Sequence, residues 1–183
     1  MNKDRLILIT NPGSSSRKYA LYRGNDFLCS LHFEFEGKKV IYTLKKLDGS
    51  KEKRETKLKD LSFVVNNLEE ILAREGYLEG ATKLDAVLAR VAAPGSYFAT
   101  DHIVDEECLK QLDIAKERAP LHAPVIASEI EQLRKVFKET LIIAISDSAF
   151  HNDRSEVAKS YAIDTELAQK FDIQRWGYHG LSV

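Results

Sequence analysis

The chain has little of several things that would classify it at once. Its only thiols are Cys29 and Cys108, far apart and without a neighbour at metal-ligand spacing. They read as reduced structural cysteines of a cytosolic protein, not as a disulfide framework or a zinc site. One-signed charge is also missing: 27 basic and 28 acidic residues leave a formal charge of -1, with no electrostatic reason to expect nucleic acid. No apolar run approaches the roughly 18 residues of a membrane span. The N-terminus runs from Met-Asn-Lys-Asp-Arg directly into a strand, without a signal-peptide pattern. A cytoplasmic protein is expected, with no membrane and no nucleic-acid partner. Internal repeats are absent, as are the G-x-x-x-x-G-K-[ST] and G-x-G-x-x-G phosphate motifs and the G-x-S-x-G elbow of serine hydrolases.

What remains is a 183-residue chain with 44% hydrophobic residues, enough for one domain with a real core, or one domain with a small lobe. Its most informative stretch is Leu6 to Tyr22. An apolar run, a Gly/Ser turn and a second alternating run predict a β-hairpin with an anion-binding tip. Gly13 lets the backbone approach closely, and N–H groups of successive small residues can converge on one phosphate. Ser14, Ser15, Ser16 and Lys18 add donors and charge, and Asn11 offers an amide where the first strand ends. The same residues also suit an ordinary Ser-rich turn. A phosphate-cradling turn between antiparallel strands points toward the actin-like ATPase architecture.

Further strands are predicted over 27–35 and 39–47, followed by the turn signal Asp48-Gly49 and a solvated hairpin or loop of mixed charge over 45–59. The period then changes: Leu61, Val64, Val65, Leu68, Ile71 and Leu72 mark an amphipathic helix ending near Gly76. A buried strand is expected over 84–91, helices over 105–118 and from 126 to 137, a β-branched strand over 140–145 and a short helix over 165–171. The order implies an α/β domain with a mixed sheet, whose ligands gather beyond the strand ends. Arg90, His122, Asp147 and His179 fall at such positions. Each has an ordinary alternative: a surface cap for Arg90, a hydrogen-bonded core imidazole for the histidines. Asp147, after a β-branched strand, stands where a nucleotide's metal is commonly held. His151 follows it by four residues, a single pair that does not make a zinc site.

The ordered set says more than its members. Asn-x-Gly-Ser-Ser-Ser-x-Lys, Ala-Arg-Val, Ala-Pro-Leu-His-x-Pro, Asp-Ser-Ala-Phe-His and Gly-Tyr-His-Gly follow one another along the chain. Together they closely resemble the acetate kinase family, within the acetate and sugar kinase/actin-like superfamily; residues 97–118 fit loosely. The resemblance implies an actin-like ATPase (ribonuclease H-like) domain, a mixed β-sheet flanked by helices, and magnesium-dependent transfer of the ATP γ-phosphoryl group to acetate. It implies catalytic roles for Arg90, Asp147 and His179, with Arg90 on the acceptor's carboxylate. Arg90, Leu121, His122, Tyr178 and Ala92 would line the acceptor pocket. Asn11, Gly13, Ser14, Ser16 and Lys18 occupy the phosphate-loop positions, and Asn11 and Asp147 the metal-associated ones.

The chain departs from the family twice. The family's His-Arg-Val-Val-His-Gly-Gly is Ala89-Arg90-Val91-Ala92-Ala93-Pro94-Gly95 here, and its Leu-His-Asn-Pro is Leu121-His122-Ala123-Pro124. Ala92 in place of valine widens the pocket, so propionate or butyrate would also fit, since such pockets discriminate by only about 1–3 kcal/mol per methylene. The chain also stops within a block that continues in the family. The expectation is an N-terminal, acceptor-side domain over 1–183, lacking the C-terminal nucleotide-binding domain and inactive alone. Its partners would be acetate, ATP and either the missing half or a second subunit, and its uncovered apolar face would favour self-association. A degenerate, non-catalytic actin-like binding domain is the remaining alternative.

Overall fold

Alternating apolar and polar residues carry the chain through four consecutive strands, and an all-charged segment makes a fifth. In the computed structural model, which describes residues 4–78, 83–177 and 181, these are β1 (Leu6–Pro12), β2 (Ser16–Arg23), β3 (Asp26–Glu36), β4 (Lys39–Lys46) and β5 (Lys51–Glu55). Each pairs antiparallel with the next. Gly49, at φ 83°, makes the β4–β5 turn, and the Ser50 N–H donates to Asp48 Oδ1 at 2.9 Å. The mixed-charge stretch is thus the edge strand β5. Lys39 pairs with Glu55 and Lys53 with Glu36, and such a charged edge resists pairing with another chain.

The switch to a helical period brings α1 (Val64–Arg74), entered through a 3-10 turn whose N-cap, Asp60, accepts from Ser62 N–H. The chain then returns as β6 (Ala86–Val91), parallel to β1. A two-residue strand, β7 (His102–Ile103), leads to α2 (Glu106–Arg118), capped by Asp105. Next come α3 (Ala123–Val136) and β8 (Leu141–Ser146), parallel to β6. Pro124 sits in the first turn of α3, where no backbone N–H is needed. Two short helices follow, α4 (Glu156–Lys159) and α5 (Thr165–Lys170). β5, β7 and α4 are elements that periodicity does not anticipate, because β5 is all charged and two to four residues carry no period.

The result is one eight-stranded mixed sheet in the order β5-β4-β3-β2-β1-β6-β8-β7. α3 packs on β1 and β6, with α1 and α2 on either side of it. Beneath them lie Leu6, Leu8, Tyr19, Val87, Ala89, Ile142 and Ala144. The opposite face of the sheet carries Ile7, Ile9, Tyr22 and Leu88, which with Arg5, Gly24 and Asn25 line a groove of about 600 Å³. Among the described residues, no helix is long and apolar enough to cross a membrane.

Both cysteines lie in the core, and burial pushes the Cys29 thiol up to about 12 and Cys108 to about 11. The thiolate is the reactive form. At pH 8, native protein is expected to leave both unmodified by iodoacetamide, with two alkylations by mass only after denaturation. Native labelling on the same timescale would show that these thiols are accessible.

Candidate active site

β1, β6 and β8 are parallel neighbours, so their carboxyl ends share one edge of the sheet. Asn11 lies at the end of β1, Arg90 at the end of β6 and Asp147 just beyond β8. The registers place Thr10 beside Ala89, and Arg90 beside Ile145. Side chains separated by 79 and 57 positions therefore meet. Arg90 Nε donates to Asp147 Oδ1 at 2.9 Å and Nη2 to Oδ2, a bidentate fork. Arg90 Nη1 donates to Asn11 Oδ1, also at 2.9 Å. Alternation along each strand puts Asn11 and Arg90 on the face of Ile9 and Leu88, away from α3.

Burial differs sharply across the pair. The Asp147 side chain is 0% exposed and that of Arg90 17%, so the carboxylate anchors and the guanidinium presents its outer edge. Asp147 is braced by its neighbours. Its N–H donates to Val91 O at 2.9 Å, Ser146 Oγ donates to Phe98 O at 2.6 Å, and Ser148 Oγ to Ala93 O at 3.3 Å. Asp101 accepts from Ser146 N–H at 2.8 Å. A fork held this rigidly fixes the guanidinium plane and with it the direction of donation.

The hairpin tip lies between β1 and β2. Its closing bond runs from Gly13 N–H to Ser16 O at 2.9 Å, so the Gly13 amide is engaged inside the turn. Space there is tight: a Cβ on Gly13 would stand 3.2 Å from Ser16 O, so a larger residue would have to shift the turn by a few tenths of an ångström. Ser14 and Ser15 form the exposed tip and Ser16 is half-buried. Lys18 is exposed and directly opposite Asn11 in the antiparallel register. Cross-strand partners share a face, so its charge lies on the same side as Arg90.

The other expected residues are placed as follows. Leu121 is 77% exposed, and His122, also exposed, is the residue preceding α3. Ala92 is buried within the core cluster, so its methyl faces protein and the widened pocket expected from it does not follow from this placement. Tyr178 and His179 lie outside the described residues.

Asn11 and Asp147 do not suit direct ligation of magnesium as placed. Both Asp147 oxygens and Asn11 Oδ1 accept from one guanidinium, whose positive charge opposes a second cation beside it. Among the described residues, no group of three His, Cys, Asp or Glu side chains could hold a metal ion. Sequence reading also missed a charged cluster beneath the hairpin. Arg17 Nε lies 3.2 Å from Glu129 Oε2 as an ion pair without an aligned hydrogen bond, and Tyr19 Oη donates to Glu129 Oε1 at 2.6 Å. The signal was available: Glu129 interrupts the apolar stripe Ile126, Ile130, Leu133 of α3.

A mixed sheet with a helix layer, a Gly/Ser hairpin at its start and a cation fixed at the ends of its parallel strands define the class: an actin-like ATPase domain. Known proteins agree and narrow it. The chain belongs to the Acetokinase family, whose model matches residues 6–183. The acetate kinase of Oceanobacillus iheyensis is 30% identical over 178 residues, spanning 96% of this chain and 45% of that protein. That of Campylobacter lari is 32% identical over the same length and shares. Among solved structures, a propionate kinase from Francisella tularensis superimposes with a TM-score of 0.83 at 29% identity, over 97% of this chain and 46% of that one. Porphyromonas gingivalis acetate kinase gives 0.82 at 25% identity, with the same coverage. The chain thus spans about 45% of the length of the curated relatives it matches.

Proposed function

We propose that this chain is the amino-terminal, acceptor-side domain of a carboxylate kinase, the part that receives acetate and the ATP γ-phosphoryl group to form acetyl phosphate. The observation that carries the reading is the Arg90 guanidinium, clamped by Asp147 and Asn11 where three strands end. Phosphoryl transfer depends mainly on positioning and charge neutralisation. Arg90 would orient the acceptor carboxylate and steady the moving phosphoryl group, with His179 as a second donor. The Arg90–Asp147 pair is formally neutral, so the substrates' negative charge must be met by further cations. Lys18, on the same face, is one; others would come from the remainder of the kinase. The Ser14–Ser16 tip would contact nucleotide phosphates, and Leu121, His122 and Tyr178 would border the acceptor. Magnesium would travel with the ATP phosphates, where it supplies charge neutralisation.

Both sides of a kinase cleft must close on the nucleotide, so the 183-residue chain alone is expected to give no acyl hydroxamate from ATP, acetate and hydroxylamine. Mixing it with the separately expressed remainder of a relative such as the P. gingivalis enzyme is expected to restore product. A folded, nucleotide-binding mixture inactive with acetate, propionate and butyrate alike would establish a non-catalytic domain. The F. tularensis propionate kinase neighbour favours one alternative, a longer acceptor, and the same assay reads it as a higher yield from propionate or butyrate.

A further inference from the structure

The charged cluster beneath the hairpin has no part in the chemistry just described. Arg17 is 8% exposed, and its guanidinium reaches three oxygens. Nη1 donates to Gly13 O and, at 3.3 Å, to Ser16 O, while Nε faces Glu129 Oε2 at 3.2 Å. Glu129, 3% exposed, comes from α3 and also accepts from Tyr19. Charges are expensive to bury, and apolar residues of similar size commonly serve stability as well or better. A buried ion pair that also collects two carbonyls of one bend therefore has a geometric role to fill.

We infer that Arg17, anchored by Glu129 and Tyr19, is a positioning residue that holds the Gly13–Ser16 bend in the shape that receives phosphate. The inference rests on the bend being the phosphate-binding turn. A trans peptide directs its C=O and N–H to opposite sides. Holding Gly13 O against the buried Arg17 therefore turns the Ser14 N–H outward, toward the exposed tip. Holding Ser16 O in place supports the Gly13 N–H···O bond that closes the bend. Because Glu129 neutralises Arg17, the cluster supplies direction and no net charge. An outward N–H at a tight bend is one of the donors from which an anion-binding concavity is built.

The test uses the full chain and the double variant Arg17→Leu/Glu129→Leu, which removes both charges together. It is expected to melt within a few degrees of the parent. By amide hydrogen exchange, however, Gly13 should exchange roughly tenfold faster or more, since its closing bond loses support. Inorganic pyrophosphate, titrated by amide chemical shifts of residues 13–18, should bind roughly tenfold more weakly. A folded double variant with the parent's Gly13 exchange and the parent's pyrophosphate affinity overturns the inference. Should the double variant not fold, Arg17→Lys is read the same way, since it keeps a charge for Glu129 but cannot also reach both carbonyls. A parent chain whose bend amides ignore pyrophosphate would overturn the phosphate reading, and Gly13 exchange would then decide the clamp alone.

Discussion

Replacing Arg90 with leucine is expected to lower unfolding free energy by about 3–5 kcal/mol, the range for breaking a buried ion pair from one side. Asp147 has a side chain with 0% exposure, and the variant would leave its carboxylate without the guanidinium that both oxygens contact. Removing the partner instead, as Asp147→Leu, should be milder, because the Arg90 side chain retains 17% exposure and can turn toward water. Arg90→Leu/Asp147→Leu should recover most of the loss, having no charge left to desolvate. Arg90→Lys should fall between parent and Arg90→Leu, since an ammonium cannot form the fork. Urea unfolding of the four variants measures the series. Equal midpoints for Arg90→Leu and the parent would show that the pair contributes nothing to the fold. Under the proposed function, in the mixture with a relative's remaining half, Arg90→Leu should also reduce acyl-phosphate formation by about 10³-fold or more, the scale for an arginine at a transferring phosphoryl group.

The same geometry explains why an arginine and an aspartate are paired where a cation alone would seem enough. A lone guanidinium on a short strand has many rotamers. The fork to Asp147 and the third bond to Asn11 remove that freedom, and under the proposed function this fixed arrangement is the form in which electrostatic stabilisation is most effective. Asp147 in turn depends on Ser146, Ser148 and Asp101 for its own placement. Changes in that bracing should therefore reach the guanidinium through Asp147.

Much of this was legible in the sequence because it depends on local pattern. Alternation from Leu6 to Lys46 marks four strands, the change of period at Leu61 marks α1, and Pro124 marks the start of α3. The convergence of Asn11, Arg90 and Asp147 follows from parallel strands sharing an end. What stayed hidden is set by tertiary contact. Gly13 reads as room for close backbone approach, and only the folded turn shows its N–H bonded to Ser16 O. Ala92 is pocket wall only by its resemblance to the family's second valine, and here it is buried in the core cluster. Arg17 looks like one more basic residue beside Lys18, but the pleat sends the two to opposite faces, one buried and one exposed. Only the approach of α3 gives Arg17 its partner.

Glu129→Ala should be among the most damaging substitutions in the chain, again about 3–5 kcal/mol, because the buried Arg17 guanidinium would lose its counter-ion. The carboxyl of Glu129 is pushed up by burial, against the opposing influence of the Tyr19 hydrogen bond and Arg17. Its sign on stability follows directly. The folded state holds this proton to higher pH than the unfolded chain, whose value is near 4.5. Glu129's contribution is therefore greatest below that value, declines as pH rises through the raised one, and is flat beyond. Melting temperature against pH should show this falling component in the parent and lose it in Glu129→Gln. Tyr19→Phe, which removes one hydrogen bond and leaves the ion pair, should cost only about 1 kcal/mol. A Glu129→Ala protein as stable as the parent would mean that Arg17 finds another anion or water, and the bend would then have to owe its shape to its own closing hydrogen bond.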